Sequence, residues 1–345
     1  MAKLPGETGI SPRDAPSATR SISAPLARRT SRARRAELVG ARRPGAHRAP
    51  STHGRAGRRG DLGAAVWFLL PSTIGFAVFY LWPFFRGTVT SFTDWNLLSS
   101  ARFVGFENYA DMFADPLFWN ALRVTAIYVV VNISTQTVLA LAIASLMQYL
   151  NLGVGNRSAI LVPWLVPNVT VAIVTLFMLD PNVGFVNYVI DFLGGRTQNF
   201  YGNGDLSIIT IALVNTWRNM GYTALLFYAG MQTIPGGLYE AAALDGASAW
   251  NTFRRITLPL LRPVTVMVLV VSIIGSFQIF DTVAVTTRGG PGNATRVIYY
   301  YIYQKAFAEF NMGYASAMAV ALFLLILALS IAQLRLLRSS QSDLD

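Results

Sequence analysis

Polar side chains interrupt three long apolar stretches of this 345-residue sequence. The most costly is Arg218, near the middle of the stretch 206–232, because a charge near the centre of a bilayer costs at least about 2.5–3.5 kcal/mol on insertion scales. Arg218 must therefore face a polar cavity, an acidic partner or a neighbouring chain. The asparagine and glutamine side chains in these stretches have two possible uses. They can bind a solute or, more commonly, form hydrogen bonds with neighbouring helices. The six candidate residues are Asn132, Gln136, Asn215, Arg218, Asn219 and Gln278.

The sequence contains few groups for covalent or metal chemistry. Cysteine is absent, which excludes disulfides and thiolate metal sites. The two histidines, His47 and His53, lie in a polar N-terminal segment, away from the apolar body. A membrane-embedded enzyme would need clustered His, Cys, Ser or carboxylate groups, and the apolar stretches contain no such cluster. We therefore expect no metal, no cofactor and no enzymatic activity. No G-x-x-x-x-G-K-[ST] loop occurs, so any ATP must be bound by another chain.

The composition is that of a polytopic membrane protein. Hydrophobic residues make up 53% of the chain and charged residues only 13%. Predominantly apolar stretches of sufficient length predict an all-α membrane domain over residues 61–345 with six transmembrane helices. Pro163 and Pro167 are expected to break or kink the third of them. The predicted spans are roughly 64–85, 121–149, 158–180, 206–232, 263–284 and 312–334.

The N-terminal segment 1–60 carries all of the net positive charge of the chain. It contains 14 of the 28 basic residues and three of the 17 acidic ones. We predict a disordered cytoplasmic tail that orients the protein by the positive-inside rule and contacts anionic lipid. Nucleic-acid binding is disfavoured, because the segment has no aromatic residue for stacking. An upstream extension that precedes the true start codon is the other reading of this segment.

A polar connection at 233–262 separates the fourth and fifth predicted spans. Pro235 should rigidify its entry, and Leu238 to Leu244 is predicted to form a short helix. Gly246 can end that helix in the left-handed conformation, and Ser248 can cap a second one. The pattern predicts a compact helix-turn-helix loop.

The residues of this loop resemble a known motif. Glu240-Ala241-Ala242, then Asp245-Gly246-Ala247, then Ile256-Thr257-Leu258-Pro259 is similar to the EAA loop of permease subunits in bacterial ABC importers. The resemblance implies that the loop docks into a cleft on a cytoplasmic ATPase subunit and transmits its closure to the membrane helices. In the family the glutamate faces a basic group of the ATPase. The coupling residues it implies are Glu240, Ala241, Ala242, Asp245 and Gly246.

Two further stretches resemble carbohydrate-type importer permeases of the maltose and glycerol-3-phosphate kind. One is Phe103 to Tyr109, ahead of the second span. The other begins at Asp281, at the end of the fifth span, and includes the turn Gly289-Gly290-Pro291. This turn and the first stretch together disfavour an amino-acid or peptide permease. The resemblance implies that this second stretch shapes the outer surface met by a binding protein. The tyrosines at 299–303 favour an interfacial belt, with stacking on sugar rings as the alternative.

The resemblance implies a complete assembly. It consists of this permease, a second homologous permease, two ATP-binding subunits and an extracytoplasmic solute-binding protein, in a bacterial inner membrane with both termini and the loop in the cytoplasm. The transported solute would be a sugar or sugar-like compound, moved by alternating access, and candidate amides could then bind sugar hydroxyls. The alternative is an ion-coupled secondary transporter, which would need acidic groups in the centres of the spans. The sequence does not specify the sugar.

Overall fold

The computed structural model describes residues 57–338, so most of the predicted N-terminal tail lies outside the described residues. Contacts divide the chain after Gly63, and the features discussed below belong to the second unit. The first helix begins at Gly57, within the range predicted as tail. The helices are α1 Gly57–Phe76, α2 Trp82–Thr90, α3 Glu107–Ala114, α4 Pro116–Tyr149, α5 Val154–Leu165, α6 Asn168–Met178, α7 Phe185–Phe192, α8 Gly204–Met231, α9 Gly236–Leu244, α10 Ala249–Thr252, α11 Leu258–Leu260, α12 Arg262–Phe277, α13 Asp281–Thr286, α14 Ile298–Tyr303 and α15 Met312–Arg338.

Short irregular pieces connect these helices. Three π-helical segments join α1 to α2, α10 to α11 and α14 towards α15; they are Ala77–Leu81, Phe253–Thr257 and Gln304–Ala308. A two-stranded antiparallel ribbon, β1 Thr93–Asp94 with β2 Arg102–Phe103, is the sheet within the described residues. The fold is therefore predominantly helical, as the sequence predicts.

Four helical segments within residues 57–338 are long and apolar enough to cross a membrane. A fifth is added if the bent pair α5 and α6 forms one span. α8 has 28 residues but is not among them, because polar side chains such as Asn215 and Arg218 lower its apolar character. The six-span count therefore stays a prediction. The four segments are Val66–Thr90, Pro116–Tyr149, Arg262–Thr286 and Met312–Arg335.

The predicted third span is broken at Pro167, whereas Pro163 lies inside α5. α5 and α6 meet at an angle of 85° across the break. Proline lacks an N–H and disfavours the helical conformation in the residue before it, and Val166 is accordingly extended, with φ −75° and ψ 131°. The break frees backbone carbonyls at the end of α5, and other groups must bind them.

α4 and α8 pack along each other and connect two hydrophobic clusters. One cluster joins the first half of α4 to α14 and α15, with Tyr301 and Met318 almost fully buried. The other joins the end of α4 to the end of α8, with Met147 and Met231 at its centre. Ala140 and Ala144 are fully buried there, since small residues allow helices to approach closely.

Asp115 ties three elements together at the start of α4. Its carboxylate accepts hydrogen bonds from the hydroxyls of Tyr301 (2.5 Å) and Tyr314 (2.9 Å), and from the backbone N–H of Leu117 (2.8 Å) as a helix N-cap. Burial raises the pKa of this carboxyl, but the hydrogen bonds outweigh burial, so its pKa lies below the ordinary value. The charged form is thus the one that the fold stabilises.

We expect Asp115→Asn to lower the stability of the protein in detergent by about 1–3 kcal/mol at pH 7, because hydrogen bonds to a charged group are lost. A depressed folded-state pKa contributes stability above the unfolded value of about 3.9, and this contribution disappears as the pH falls through the folded value. The difference between wild type and variant should therefore narrow below about pH 4. Thermal unfolding across pH checks this, with the exposed Asp111→Asn as control. A difference that is constant with pH would contradict the role of the charge.

Candidate coupling loop and polar cavity

The loop 233–262, which we call the coupling loop, begins with helix α9 and a sharply defined stop. Gly246 has φ +72°, the left-handed conformation that glycine adopts without a Cβ clash. The N–H of Ala247 donates to the carbonyl of Ala242 at 2.9 Å, and the N–H of Gly246 donates to that of Ala243 at 3.1 Å. These two bonds form a Schellman motif. The predicted role of Gly246 as a helix terminator is confirmed.

The second arm of the coupling loop is capped and anchored by side chains. The Ser248 hydroxyl accepts from the N–H of Asn251 at 3.3 Å, which caps α10 as predicted. A hydrogen bond of 3.2 Å between the hydroxyls of Tyr239 and Thr257 ties the two arms together. Phe253 and the fully buried Leu261 pack into the cluster at the ends of α4 and α8. The loop is therefore a rigid extension of these helices.

Some residues of the coupling loop are buried against the rest of the protein and others are exposed to solvent. Ala242 is buried, whereas Glu240, Ala241 and Asp245 are exposed. Two large apolar side chains are also exposed: Leu244 is 89% accessible and Trp250 is 66% accessible. Arg254 and Arg255 are exposed on the second arm. An apolar surface flanked by both signs of charge has the composition of a protein-binding site.

A polar cavity of about 300 Å³ lies between α4, α8, α12 and the break between α5 and α6. All six polar candidates from the three apolar stretches line it, namely Asn132, Gln136, Asn215, Arg218, Asn219 and Gln278. Asp281 lines it as well, although the sequence associates this residue with the outer loop. The cavity thus brings together side chains that are up to 154 positions apart in the chain, from Tyr128 to Thr282.

Arg218 binds the carbonyls that the broken span exposes. Its Nε–H donates to Val166 at 3.0 Å, and Nη2 donates to Trp164 at 3.1 Å. Nη1 donates to the amide oxygen of Asn219 at 3.2 Å. α5 crosses α8 closely enough for these bonds because residue 221 is glycine, where a Cβ would lie 2.1 Å from the Ile160 carbonyl oxygen. A cationic side chain at the C-terminal end of a helix also interacts favourably with its dipole.

The amides of α4 form interhelical hydrogen bonds. Asn132 donates to the Ser276 hydroxyl at 3.1 Å, and Gln136 donates to the Thr223 hydroxyl at 2.7 Å. Thr216 donates to the Asn132 amide oxygen at 3.3 Å. Both amides are buried, with accessibilities of 4% and 7%. Interhelical bonding, one of the two uses left open by the sequence, is therefore present for both.

The remaining candidates connect the cavity to α6 and α13. Asn215 exchanges hydrogen bonds of 3.3 Å with Thr282, and the Asn219 amide donates to the Asn215 carbonyl at 2.8 Å. The Asn168 amide, just after the break, donates to the Asp281 carboxylate at 3.0 Å. Asn168 and Thr282 are cavity residues that the sequence reasoning missed. The only available signals were the position of Asn168 directly after Pro167 and the hydroxyl of Thr282 beside Asp281.

The Gly289-Gly290-Pro291 turn lies outside the cavity lining. Gly289 has φ +86°, so a side chain there would be strained. The Thr295 hydroxyl donates to the Gly290 carbonyl at 2.7 Å, and the Asn120 amide donates to the Asn293 carbonyl at 3.1 Å. These bonds hold the turn against the start of α4.

Apolar helices around a polar cavity, with a rigid exposed loop at the end of α8, define a membrane transport protein. Residues 156–340 match the model of the binding-protein-dependent transport system inner membrane component. The chain belongs to this family, and it is a multi-pass inner membrane protein. Family membership supports the importer interpretation over an ion-coupled secondary transporter and over an enzyme.

Similar proteins align with about four fifths of the chain. The sulfoquinovosyl glycerol transport system permease protein SmoG of Agrobacterium fabrum is 34% identical over 81% of this chain and 92% of its own. The trehalose/maltose transport system permease protein MalF of Thermococcus litoralis is 33% identical over 77% and 91%. A solved bacterial ABC transporter that imports the acidic polysaccharide alginate aligns with a TM-score of 0.71 at 22% identity, over 83% of this chain and 98% of its own. That last likeness concerns the fold.

Proposed function

We propose that this protein is the permease subunit of an ATP-driven importer for a carbohydrate, and that the coupling loop receives the motion of an ATPase. The observation that carries the proposal is the geometry of this loop. Its backbone is closed by a Schellman motif and a serine cap, and it is anchored in the cluster around Met147 and Met231. A displacement applied to the exposed Leu244 and Trp250 would therefore move α4 and α8 rather than deform the loop.

The cavity supplies the second part of the mechanism. α4 and α8 form its walls, and the same helices end in the cluster that anchors the coupling loop. ATP-driven closure of two ATPase subunits would draw together this loop and its counterpart on a second, homologous permease. The cavity would then face outward to accept solute from an extracytoplasmic binding protein, and ATP hydrolysis would return it to the inward-facing state.

Each candidate residue has a proposed role in this scheme. Glu240, Ala241, Ala242, Asp245 and Gly246 form or shape the ATPase contact. Arg218 and the five amides of the cavity line the path, and Gly289, Gly290 and Pro291 shape the surface that meets the binding protein. Asp281 contributes to the path as well, because it lines the cavity. We infer a cytoplasmic location for the coupling loop and both termini from the excess of basic residues in the tail.

The carbohydrate assignment rests on the names of the relatives and on the lining of the cavity. The names include a trehalose/maltose system and a sulfoquinovosyl glycerol system. Amides, hydroxyls and aromatic rings line the cavity, and sugars are recognised by hydrogen bonds to such groups and by stacking.

Affinity purification of the tagged full chain from its own host membrane tests this function. We expect a homologous permease and a P-loop ATPase to co-purify, and we expect the complex in liposomes to take up radiolabelled maltose or trehalose only with ATP and the binding protein. Transport by the chain alone without nucleotide, or purification without an ATPase, would contradict the proposal.

A further inference from the structure

We propose that the polar cavity selects an uncharged polyhydroxy solute and discriminates against acidic carbohydrates such as sugar phosphates and uronates. This inference rests on the proposed function, since it treats the cavity as part of the translocation path. It specifies the charge of the substrate, which membership of the family does not fix. The solved importer that shares the fold carries an acidic polysaccharide.

The formal charges that line the cavity cancel. Arg218 is the cation in the lining and Asp281 is the anion, and every other lining residue is neutral. The two do not form a direct ion pair, because the ion pairs among the described residues are Arg102–Asp94 and Lys305–Glu309. Both side chains line the same cavity, so a solute there meets one charge of each sign. A solute with a net charge would therefore not be compensated by this chain.

One edge of the Arg218 guanidinium, formed by Nε and Nη2, is already occupied. Arginine recognises phosphates and carboxylates by donating two parallel hydrogen bonds from one edge. In this protein the edge formed by Nε and Nη2 donates to the carbonyls of Val166 and Trp164, at 3.0 and 3.1 Å. Nη1 is directed to Asn219. An anion could recruit this edge only by releasing the carbonyls at the end of α5.

The carboxylate of Asp281 repels an acidic group of a solute in the cavity. One carboxylate oxygen accepts from Asn168, and the residue lines the cavity. A sugar hydroxyl can donate to a carboxylate, whereas a phosphate or uronate is repelled by it. Asp281 therefore favours a hydroxyl donor over an acidic group at the same place.

The neutral part of the lining suits a sugar ring. Trp164 and Tyr222 both line the cavity and stack on each other, with ring centroids 4.8 Å apart and an interplanar angle of 11°. Asn219, Gln278 and Ser272 provide neutral donors and acceptors around it. A sugar hydroxyl both donates and accepts, so it can use either kind of group.

Matched pairs of probes test the inference on the purified, nucleotide-free importer complex. Trehalose is compared with trehalose 6-phosphate, and maltose with maltobionate, by ligand-induced thermal stabilisation at probe concentrations of roughly 0.1–50 mM. In at least one pair we expect the neutral probe to bind about tenfold or more tightly than its acidic partner. Asp281→Asn should reduce that ratio about threefold or more. Asp205→Asn, an exposed acid on the same helix as Arg218, should leave it unchanged.

Equal or tighter binding of the acidic probes would overturn the inference, and so would the binding of neither probe in any pair or an unchanged ratio in Asp281→Asn. These outcomes are distinct from failure of the proposed function. A complex that assembles with its ATPase and transports a solute, but prefers acids, refutes only the charge selectivity. A chain that assembles with no ATPase refutes the function itself.

Discussion

Glu240→Lys should reduce ATP-driven uptake by about a hundredfold or more, while the chain remains inserted and folded. Glu240 is exposed on α9, whereas Ala242, two residues later, is buried. Residues two positions apart on a helix point in directions about 200° apart, so Glu240 faces away from the body of the protein. The resemblance to EAA loops implies a basic group on the ATPase opposite this glutamate. Lysine would replace an attraction with a repulsion at the contact that transmits force.

A local effect on the helix does not explain such a loss. An acid stabilises a helix through the macrodipole only within the first turn, by about 0.3–1 kcal/mol. Glu240 is the fifth residue of α9, which begins at Gly236, and no acid lies in that first turn. The helix is instead ended by the Gly246 motif, which the substitution does not touch. The expected defect is therefore one of docking.

Uptake into proteoliposomes, ATPase activity and co-purification of the ATPase subunit measure the effect together. We expect uptake to be lost and the ATPase to dissociate more readily, with unchanged amounts of the chain in the membrane. Asp205→Lys provides the matched control, because it reverses an exposed acidic charge at the opposite end of α8. Wild-type uptake in Glu240→Lys would refute the coupling role of this residue.

The coupling loop could be predicted in detail from the sequence because its structure depends on local chemistry. Gly246 ends one helix and Ser248 starts the next, and both act through atoms within a few residues of themselves. The break at Pro167 is local in the same sense, since it follows from the missing N–H of proline. Each of these predictions is confirmed in the structure.

The polar cavity could be predicted only in part. The cost of placing polar groups in apolar stretches identified Arg218 and the five amides, but it could not identify their partners. The carbonyl of Trp164 lies 54 positions from Arg218, and Asn168 lies 113 positions from Asp281. The tyrosine partners of Asp115 are 186 and 199 positions away, so the sequence could not identify them either. Such pairings depend on the packing of whole helices.

Arg218→Met should destabilise the protein by about 2–4 kcal/mol and abolish uptake. Two opposing contributions determine whether this substitution stabilises or destabilises the protein. Removing the charge would recover part of the roughly 2.5–3.5 kcal/mol insertion cost, but that cost is already reduced because Arg218 lines a polar cavity. The carbonyls of Trp164 and Val166 would lose their donors, at about 1–3 kcal/mol each. The second term is larger, and the bend of 85° loses the group that joins it to α8.

Arg218→Lys separates the charge from the geometry. Lysine retains the positive charge, but it lacks the planar fork that reaches both carbonyls and Asn219 at once. We therefore expect an intermediate loss of thermal stability in detergent and uptake well below that of the wild type. If the cation served only to balance Asp281 across the cavity, Arg218→Lys would match the wild type in both measurements. That result would show that binding the carbonyls at the helix break is not the role of Arg218, because a point charge would then be sufficient at this position.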